Sequence, residues 1–567
     1  MGLGVLEPKD RTKEVPGTVQ LEGEDEATLQ ATANLKHGTG RHKDVVLAPQ
    51  PSNSPNDPLN WPHSKKLYVS YLLSFGAALA SGISQFLNPA ATSMALSIGT
   101  SVTNMTRSAS LVVLFLGIGA ILSAPLARIY GKRPVIFIST VLSIISYSLI
   151  LARPKNTNYI YAGRAFFGFF SAPVEYLVSS SVGDIFFVHQ RGFHLALWHV
   201  SLSAGNSIGQ VIGAQIVAHQ NYIWAYRYAV IVTSVYALAF FFLVPESAYN
   251  RSKKLEIDIN DYSTTDDDQA SSANNSDEKK QAPAPLSTVT GKEDEAANSD
   301  GGEAGLPASN ELPETYLQSL RLFRGRFSNE SYIRSIFSPF ATLLLPGVAW
   351  AAYCYACTVA FSIATSLSLS SIFGAAPYNF STGAIGLTVL SPFVGDILGN
   401  LVPGPITDWL AVKLSRRNNG VYEPEFRIIL CIPAFLANLA GYWGFGLAIH
   451  NKIHWFAPVF FFGLSAFGGQ VLSLVSNAYL LDCHRQYARD GYAVVTLAKG
   501  VLTFAAGFFI HDWLVRSGPV QVFFLIGMIN SVGAIWGLFL YFYGKRLRLK
   551  VHESKFVNNA LRWAGNK

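Results

Sequence analysis

Charged residues are scarce in this chain of 567 residues, because Asp, Glu, Lys and Arg together make up 14% of it. A soluble domain carries about 25%. Half of the residues are hydrophobic, and they fall in runs of about 20, the length that crosses a bilayer as a helix. The shortage of charge therefore excludes a soluble multidomain protein and predicts an integral, multi-pass, all-α membrane protein.

Cysteine is also scarce, with four residues in the chain. Cys354, Cys357, Cys431 and Cys483 all lie in or beside apolar runs, where a thiolate would be poorly solvated. This excludes a disulfide framework and favours small-residue packing over a redox role for the Cys354/Cys357 pair. The sequence also lacks a Gly-rich phosphate loop and a His/Cys/Asp cluster at metal spacing. We therefore expect no cofactor, no metal and no enzymatic activity, and an ATP-driven pump is disfavoured.

Twelve apolar runs are interrupted once, by a long polar stretch. The runs lie near 67–88, 108–128, 134–152, 159–184, 194–218, 228–244, 338–372, 383–412, 428–449, 455–481, 492–511 and 519–543. The intervening polar stretch is acidic and rich in Ser, Asn, Ala and Pro, so it cannot bury a core. The prediction is twelve transmembrane helices in two six-helix bundles. Its parts are a disordered cytosolic tail (1–60), the first bundle (61–246), a disordered cytosolic linker (247–334), the second bundle (335–546) and a cytosolic tail (547–567).

Basic residues predict the orientation, because Lys and Arg are retained on the cytoplasmic side. With the amino terminus inside, the inner loops hold more Lys and Arg than the outer loops. Both termini are therefore predicted to be cytosolic. The net charge of +7 reflects this topology rather than nucleic-acid binding, for which no aromatic-interleaved basic module is present. The sequons at Asn104 and Asn379 fall in predicted outer loops and are candidate glycosylation sites.

A short motif recurs at the same place in each half of the chain. Ala124–Ile129 closes the second span, and Gly404–Trp409 closes the eighth. Parallel repeats of six spans, with a site between them near the midplane, are typical of transporters in which two bundles rock about a solute. The repeat therefore predicts two related halves with a binding site between them.

The loop after span 2 resembles a known family motif. Tyr130-Gly131-Lys132-Arg133-Pro134 is similar to the gating loop of the major facilitator superfamily between spans 2 and 3. Arg128 stands where that motif has an acid, so the basic residues here lack a local carboxylate. Asp408 keeps an acid at the matching place in the second half.

Span 5 carries a second resemblance, to the antiporter signature of the drug:proton branch of that superfamily. Gly205, Gly209 and Gly213 match the signature, whereas Gln210 replaces its proline and Ala214 its last glycine. Stretches at 57–61, 184–192, 415–420 and 423–425 are similar to the fungal twelve-span drug-antiporter-like group. The resemblance covers nearly all of residues 57–545. It implies the major facilitator fold and solute export by alternating access.

Four ionisable residues lie inside predicted spans, where a charge costs on the order of 3 kcal/mol and usually faces a wet interior. They are Arg164, Glu175, Asp396 and Lys499. Glu175 shares a helix face with Arg164 and is the first candidate for proton coupling, with a structural ion pair as the alternative. Arg164 could instead snorkel to the outer interface. Asp396 is a candidate protonation or solute site or a packing residue, and Lys499 could neutralise an acid or reach the inner surface.

Neutral polar side chains in other spans predict the lining of a solute cavity. Span 5 places several of them on one face, beside its glycine ridge, which is first a packing device. His199 there is a candidate proton relay, although a hydrogen-bonded packing role is favoured. The candidates are Gln85, Asn88, Tyr176, His199, Asn206, Gln210, Gln470 and Asn477. Such a lining suits a moderately apolar organic solute.

These observations predict a secondary active transporter, with proton-coupled export of a small amphiphilic organic compound as the first hypothesis. Import of a nutrient by proton symport uses the same fold; the glycine pattern favours export, and Gln210 weakens that preference. A transporter-like membrane sensor, with the linker as its signalling segment, is the third hypothesis. The plasma membrane is the expected location, with a vacuolar membrane as the alternative. We expect a monomer whose partners are a small-molecule substrate, protons and the lipid bilayer.

Overall fold

A computed structural model describes most of the chain. It covers residues 4–7, 15, 17–20, 50–249, 313–328, 330–418, 421–484 and 487–563. The side chains of residues 19, 20, 188, 189, 408, 488 and 489 are outside this description.

Six long helices form the first half of the molecule. They are span 1 (His63–Gln85), span 2 (Val102–Tyr130), span 3 (Lys132–Ala152), span 4 (Thr157–Ile185), span 5 (Val188–His219) and span 6 (Tyr222–Leu243). A short helix, Ala91–Ile98, follows span 1. Ser101, Asn156 and Asn221 begin spans 2, 4 and 6 by accepting a hydrogen bond from a first-turn backbone N–H, as helix N-caps do. Polar caps therefore set where these apolar helices begin.

The second half repeats the arrangement with more breaks. Its helices are span 7 (Pro346–Phe373), span 8 (Thr382–Thr388, Leu390–Leu401 and Pro403–Arg417), span 9 (Cys431–His450) and span 10 (Phe456–Cys483). Spans 11 and 12 lie in one helical segment, Ala488–Glu553, broken where Gly518 adopts a positive φ of 74°. Span 8 divides before Pro403, whose ring and missing N–H cannot continue a helix. Two shorter helices flank this half: the linker helix (Tyr332–Thr342) and the carboxyl-terminal helix (Lys555–Trp563).

The predicted fold class is confirmed. Within the described residues, nine segments are long and apolar enough to cross a membrane, and one of them holds both span 11 and span 12. Spans 4 and 5 are long enough but less apolar, and they complete the set of twelve. The apolar run predicted at 338–372 is divided in the structure between the linker helix and span 7, because Pro346 begins a new helix.

Small residues allow the two halves to meet closely along spans 2 and 11. A Cβ on Gly500 would lie 2.8 Å from the carbonyl oxygen of Val113, and one on Gly117 would lie 3.2 Å from the Cα of Leu497. At the end of the seam away from the gating loop, Thr103 of span 2 donates a hydrogen bond to Asp512 of span 11 at 2.9 Å. The seam between spans 2 and 11 is therefore a continuous contact between the halves.

The parts of the two polar segments that the structure describes also contact the two halves of the molecule. The strand Val19–Gln20 pairs antiparallel with Val421–Tyr422 before span 9. In the linker, the backbone N–H of Phe327 donates to the carbonyl of Ile129 at 2.8 Å. Residues 21–49 and 250–312 lie outside the described residues. The predicted disorder and domain boundaries therefore stay predictions.

Candidate transport site

A cavity of about 130 Å³ lies between the two halves. Spans 1, 2, 4 and 5 supply one wall, and spans 7, 8, 9, 10 and 11 supply the other. Its polar lining consists of Ser81, Ser84, Gln85, Glu175, His199, Ser203, Asn206, Tyr355, Thr358, Ser362, Asp396, Tyr442, Ser465, Gln470 and Lys499, with Val113, Leu116, Leu202, Val359, Ile363 and Ala466 as apolar members. The cavity can therefore offer both hydrogen bonds and apolar contact to a solute.

Glu175 and Lys499 form an ion pair across this cavity. The Nζ atom of Lys499 lies 3.3 Å from Oε1 of Glu175, and the two side chains are 9% and 13% exposed. Glu175 belongs to span 4 and Lys499 to span 11, so the pair joins the two halves. The pairing offsets part of the cost of burying each charge. Any movement that separates the halves here must break the pair or neutralise one partner.

Asp396 is the second carboxylate in the cavity. It lies in the middle helix of span 8, between the breaks at Val389 and Val402. Within the described part of the chain, its carboxylate is in no hydrogen bond or ion pair. Its backbone carbonyl accepts a hydrogen bond from Asn400, whose side chain in turn accepts one from Gln470 at 2.9 Å. Asp396 is thus positioned on a broken span with its charge open to a proton or a solute.

The polar face of span 5 divides between the cavity and the contact with span 7. His199 and Asn206 line the cavity. Gln210 is buried; it donates to Asn206 at 3.2 Å and accepts from Ser366 of span 7 at 2.5 Å. Gln210, which replaces the proline of the antiporter signature, therefore bridges the two halves.

The glycine ridge of span 5 packs against span 1. A Cβ on Gly205 would lie 2.1 Å from the carbonyl oxygen of Ala78, and one on Gly213 would lie 2.1 Å from that of Phe86. Gly209 faces Gly82 in the same way. These backbones are closer than any side chain allows, so the ridge has a packing role.

Four other predicted residues lie away from the cavity lining. Arg164 is buried and donates to Ser108 at 2.8 Å and to Tyr226 at 3.1 Å. The others are Asn88, which donates to Gln85 at 3.3 Å, Tyr176, whose hydroxyl lies 3.4 Å from that of Ser123, and Asn477, whose carbonyl accepts from Tyr492 at 3.4 Å. Arg164 and Glu175 share a helix face but have different partners.

Several cavity residues were not predicted from the sequence, chiefly hydroxyl groups in spans 1 and 7. Ser81, Ser84 and Gln85 follow the spacing of one helix face, as do Tyr355, Thr358 and Ser362. This periodicity was a usable signal. Among the residues that the structure describes, no group of three or more His, Cys, Asp or Glu side chains could hold a metal ion.

The basic residues in and beside the gating loop form ion pairs with carboxylates from other parts of the chain. Arg128 pairs with Asp490 of span 11, and with Glu330 of the linker at 3.5 Å. Lys132 pairs with Asp184 at the end of span 4. The side chain of Asp408 lies outside the described residues. Arg128, which stands where the family motif has an acid, is therefore paired with an acid on span 11.

Glu246 caps the beginning of span 3. Its two carboxylate oxygens accept the backbone N–H groups of Lys132 and Arg133, each at 3.0 Å. Burial raises the pKa of Glu246, whereas the hydrogen bonds from Ala248, Lys132 and Arg133 act in the opposite direction. The turn at Gly131, where φ is 95°, is therefore held by a side chain that follows span 6.

The two sequons differ in accessibility. Asn379 is exposed in the loop between spans 7 and 8. Asn104 lies half-buried in the first turn of span 2, where its amide donates to Thr100 at 3.0 Å. Glycosylation stays a prediction, and this geometry favours Asn379.

The chain is similar to known transporters along most of its length. The family model of the Major Facilitator Superfamily matches residues 73–507. Protein HOL1 of Saccharomyces cerevisiae is 25% identical over 95% of this chain and 96% of its own. The probable drug/proton antiporter YHK8 of the same yeast is 25% identical over 86% of this chain and 85% of its own. The probable efflux pump mfs2 of Aspergillus flavus is 22% identical over 79% and 96%.

Solved transporter structures share the fold. The xylose transporter XylE from E. coli, in a partially occluded inward-open conformation, aligns with a TM-score of 0.55 at 12% identity and covers 84% of this chain and 97% of its own. A POT family transporter bound to a thioalcohol-conjugated peptide aligns with a TM-score of 0.56 at 14% identity, covering 87% and 99%. At these identities the similarity supports the fold alone.

Proposed function

The chain belongs to the major facilitator superfamily and is a secondary transporter, and we propose that it exports a small, amphiphilic organic solute in exchange for protons. The observation that carries the proposal is the ion pair between Glu175 and Lys499. It lies in the cavity, it joins the two halves, and one partner is a carboxylate that a proton can neutralise.

The ion pair gives a physical route from protonation to movement. With Glu175 ionised, its attraction to Lys499 holds spans 4 and 11 together across a poorly solvated cavity. When Glu175 takes up a proton, that attraction is lost. The contacts that remain along the seam oppose separation of the halves less strongly than the same contacts together with the ion pair. Proton uptake at one carboxylate can therefore change the relative stability of the two orientations, which coupled transport requires.

Asp396 supplies the site for the exchanged species in this proposal. Its carboxylate faces the same cavity, and the part of the chain described here gives it no charged partner. A proton or a polar group of the solute would compensate its charge. Tyr355, Tyr442 and the apolar wall would contact the remainder of a moderately apolar solute.

Export is the direction that we propose, from two lines of support. The glycine pattern of span 5 is similar to that of drug:proton antiporters, and the relatives include proteins named as a probable drug/proton antiporter and a probable efflux pump. Import by proton symport needs the same carboxylates, so an experiment must separate the two directions. We further propose a plasma-membrane location, with both termini cytosolic.

The test is solute flux in sealed vesicles that contain the purified protein and a panel of amphiphilic organic compounds. A gradient of about one pH unit supports about tenfold accumulation for one proton per solute. We expect accumulation on the acidic side, opposite to proton flow. Glu175→Gln should abolish accumulation while leaving equilibrative exchange. Glu314→Gln makes the same chemical change at an exposed linker residue and should behave like the parent protein.

The outcomes separate the hypotheses. Accumulation on the alkaline side would identify a symporter and overturn export. Gradient-driven flux that Glu175→Gln leaves unchanged would move the coupling role to Asp396, which Asp396→Asn tests in the same vesicles. If no compound in a broad panel moves, the transport proposal fails, and deletion of residues 250–312 then tests a sensor role for the linker.

A further inference from the structure

The linker helix has its polar side inward and its apolar side outward. Its buried residues include Ser335, Ser338 and Thr342. Its exposed side carries Ile333, Phe337, Phe340, Leu343 and Leu344, with Ile333 68% and Phe337 50% exposed. A surface helix of a soluble protein has the opposite arrangement. The exposed side therefore requires an apolar environment that the chain itself does not supply in its described part.

The carboxyl-terminal helix packs beside the linker helix. It buries Val557 and Leu561, and it exposes Phe556 (72%) and Trp563 (68%), which lie two helical turns apart on one face. The guanidinium of Arg334 joins the two helices, because it donates to the carbonyl of Trp563 at 2.6 Å and to that of Arg562 at 2.5 Å. The two helices form one unit, which we name the helix pair.

The helix pair adjoins the ends of two membrane spans that are predicted to be cytoplasmic. The linker helix ends at Thr342 and span 7 begins at Pro346, so only three residues separate the two helices. The carboxyl-terminal helix begins at Lys555, immediately after the segment that ends span 12. Both helices are therefore tied to the cytoplasmic ends of membrane spans.

Charge identifies the kind of lipid. Lys550, Lys555 and Arg562 are exposed on or beside the carboxyl-terminal helix, and Glu553 is the single exposed carboxylate among residues 550–563. Apolar and aromatic side chains with a basic rim are the composition of helices that lie in an interface containing anionic lipid. We propose that the helix pair is a binding surface for anionic phospholipid head groups of the cytoplasmic leaflet.

Lipid binding at this surface would act on the seam between the halves. Ser338 of the linker helix donates to Asp490 of span 11, and the hydroxyl of Tyr332 donates to the carbonyl of Leu122 in span 2 at 3.0 Å. One helix thus contacts the lipid side and both halves at once. Anionic lipid holds the linker helix on the inner end of spans 2 and 11.

The test measures lipid contact at Trp563 in vesicles of phosphatidylcholine with a rising fraction of phosphatidylglycerol. In separate experiments, either the phosphatidylglycerol or the phosphatidylcholine carries bromine, which quenches tryptophan fluorescence. The Trp563 signal is the fluorescence of the parent protein minus that of Trp563→Phe. We expect brominated phosphatidylglycerol to quench Trp563 at a lower mole fraction than brominated phosphatidylcholine. In the double variant Lys555→Gln/Arg562→Gln the mole fraction of phosphatidylglycerol for half-maximal quenching should rise about 25-fold, since each basic residue contributes about fivefold near an anionic surface.

The matched control removes two basic residues from the inner end of span 8, as Lys413→Gln/Arg417→Gln. These residues are exposed on a different helix, so the lipid preference at Trp563 should stay unchanged. Equal quenching by the two lipids, or an equal effect of the two double variants, would overturn the anionic-lipid proposal. Absence of quenching by either lipid would show that the helix pair faces water or protein instead.

Discussion

Lys499 and Glu175 are separated by 324 positions in the chain, yet their charged groups lie 3.3 Å apart in the cavity between the halves. Lys499 also lies 5.9 Å from the ring centroid of Tyr355 in span 7. Breaking a buried ion pair by removing one partner typically costs about 3–5 kcal/mol, because an uncompensated charge remains, whereas replacing both partners is often neutral. The contribution of the pair to the free energy of unfolding therefore depends on both residues being present.

The first prediction concerns this interdependence. Glu175→Gln and Lys499→Gln should each lower the melting temperature of the detergent-solubilised protein, and the double variant should be more stable than either single variant. The expected coupling is about 2 kcal/mol, within the range for residues that touch. Thermal unfolding of the four proteins at one pH measures it. Additive effects would mean that the two charges do not interact.

Both members of this pair can be predicted from the sequence, but their pairing cannot. Glu175 and Lys499 stand out because charges within apolar runs are rare. Helix periodicity then relates residues within one span, and it placed Glu175 beside Arg164. The actual partner of Glu175 comes from the other half of the chain, and such a contact depends on how two six-helix bundles meet. A single sequence carries no local signal for that geometry.

The second prediction concerns the ion pairs of Arg128, at the end of the seam beside the gating loop. Arg128→Asp places a third carboxylate beside Asp490 and Glu330, so repulsion should replace attraction and open the contact between spans 2 and 11. Both stability and gradient-driven flux should fall. The swapped protein Arg128→Asp/Asp490→Arg restores opposite charges and should recover most of both. If stability and flux of the swapped protein are no higher than those of Arg128→Asp alone, the ion pair does not hold spans 2 and 11 together.

The third prediction concerns the cap on span 3. Glu246→Ala removes the acceptor for the N–H groups of Lys132 and Arg133, and hydrogen bonds to a charged group contribute about 1.5–3 kcal/mol. The melting temperature of Glu246→Ala should fall. That of Glu246→Gln should fall less, because the amide oxygen of glutamine still accepts one hydrogen bond. Glu314→Gln, at an exposed site, is the control. An unchanged Glu246→Ala protein would exclude a capping role.

The fourth prediction is a pH dependence that originates at His484, in the loop after span 10. Burial lowers the pKa of His484 to about 3, and Arg548 acts in the same direction. The unfolded chain takes up this proton near pH 6.5 and the folded chain does not. The contribution to stability is therefore fully present above pH 6.5 and is lost as the pH falls toward 3, by about 2 kcal/mol at pH 5.

Thermal unfolding at pH 8 and pH 5 measures this contribution. His484→Gln should show a smaller loss of melting temperature on acidification than the parent protein. His450→Gln makes the same change at an exposed histidine at the end of span 9 and should keep the parent's pH dependence. An identical pH response in His484→Gln would assign the acid sensitivity to other groups.

The twelve-span architecture follows from the sequence because it depends on local properties: run length, hydropathy and basic loops. The cavity lining was only partly predictable, and the reason is visible in span 5. Its polar face was recognised by spacing, but His199 and Asn206 reach the cavity while Gln210 is used in a contact with Ser366. Which polar residue faces solvent and which faces span 7 depends on the rotation of each helix in the bundle.

The last prediction separates the two meanings of the glycine pattern in span 5. Gly205→Ala and Gly213→Ala place a methyl group 2.1 Å from a backbone oxygen of span 1, so spans 1 and 5 must move apart. Overpacking of this kind costs about 1–3 kcal/mol. Gly192→Ala is the matched control, because it lies in the same helix with no atom within 4 Å of the added carbon and should be neutral or stabilising. If the Gly205 and Gly213 variants lose stability and flux together, the ridge acts through packing. If either stays folded and reverses the direction of gradient-driven flux, the pattern determines direction, and the packing explanation is insufficient.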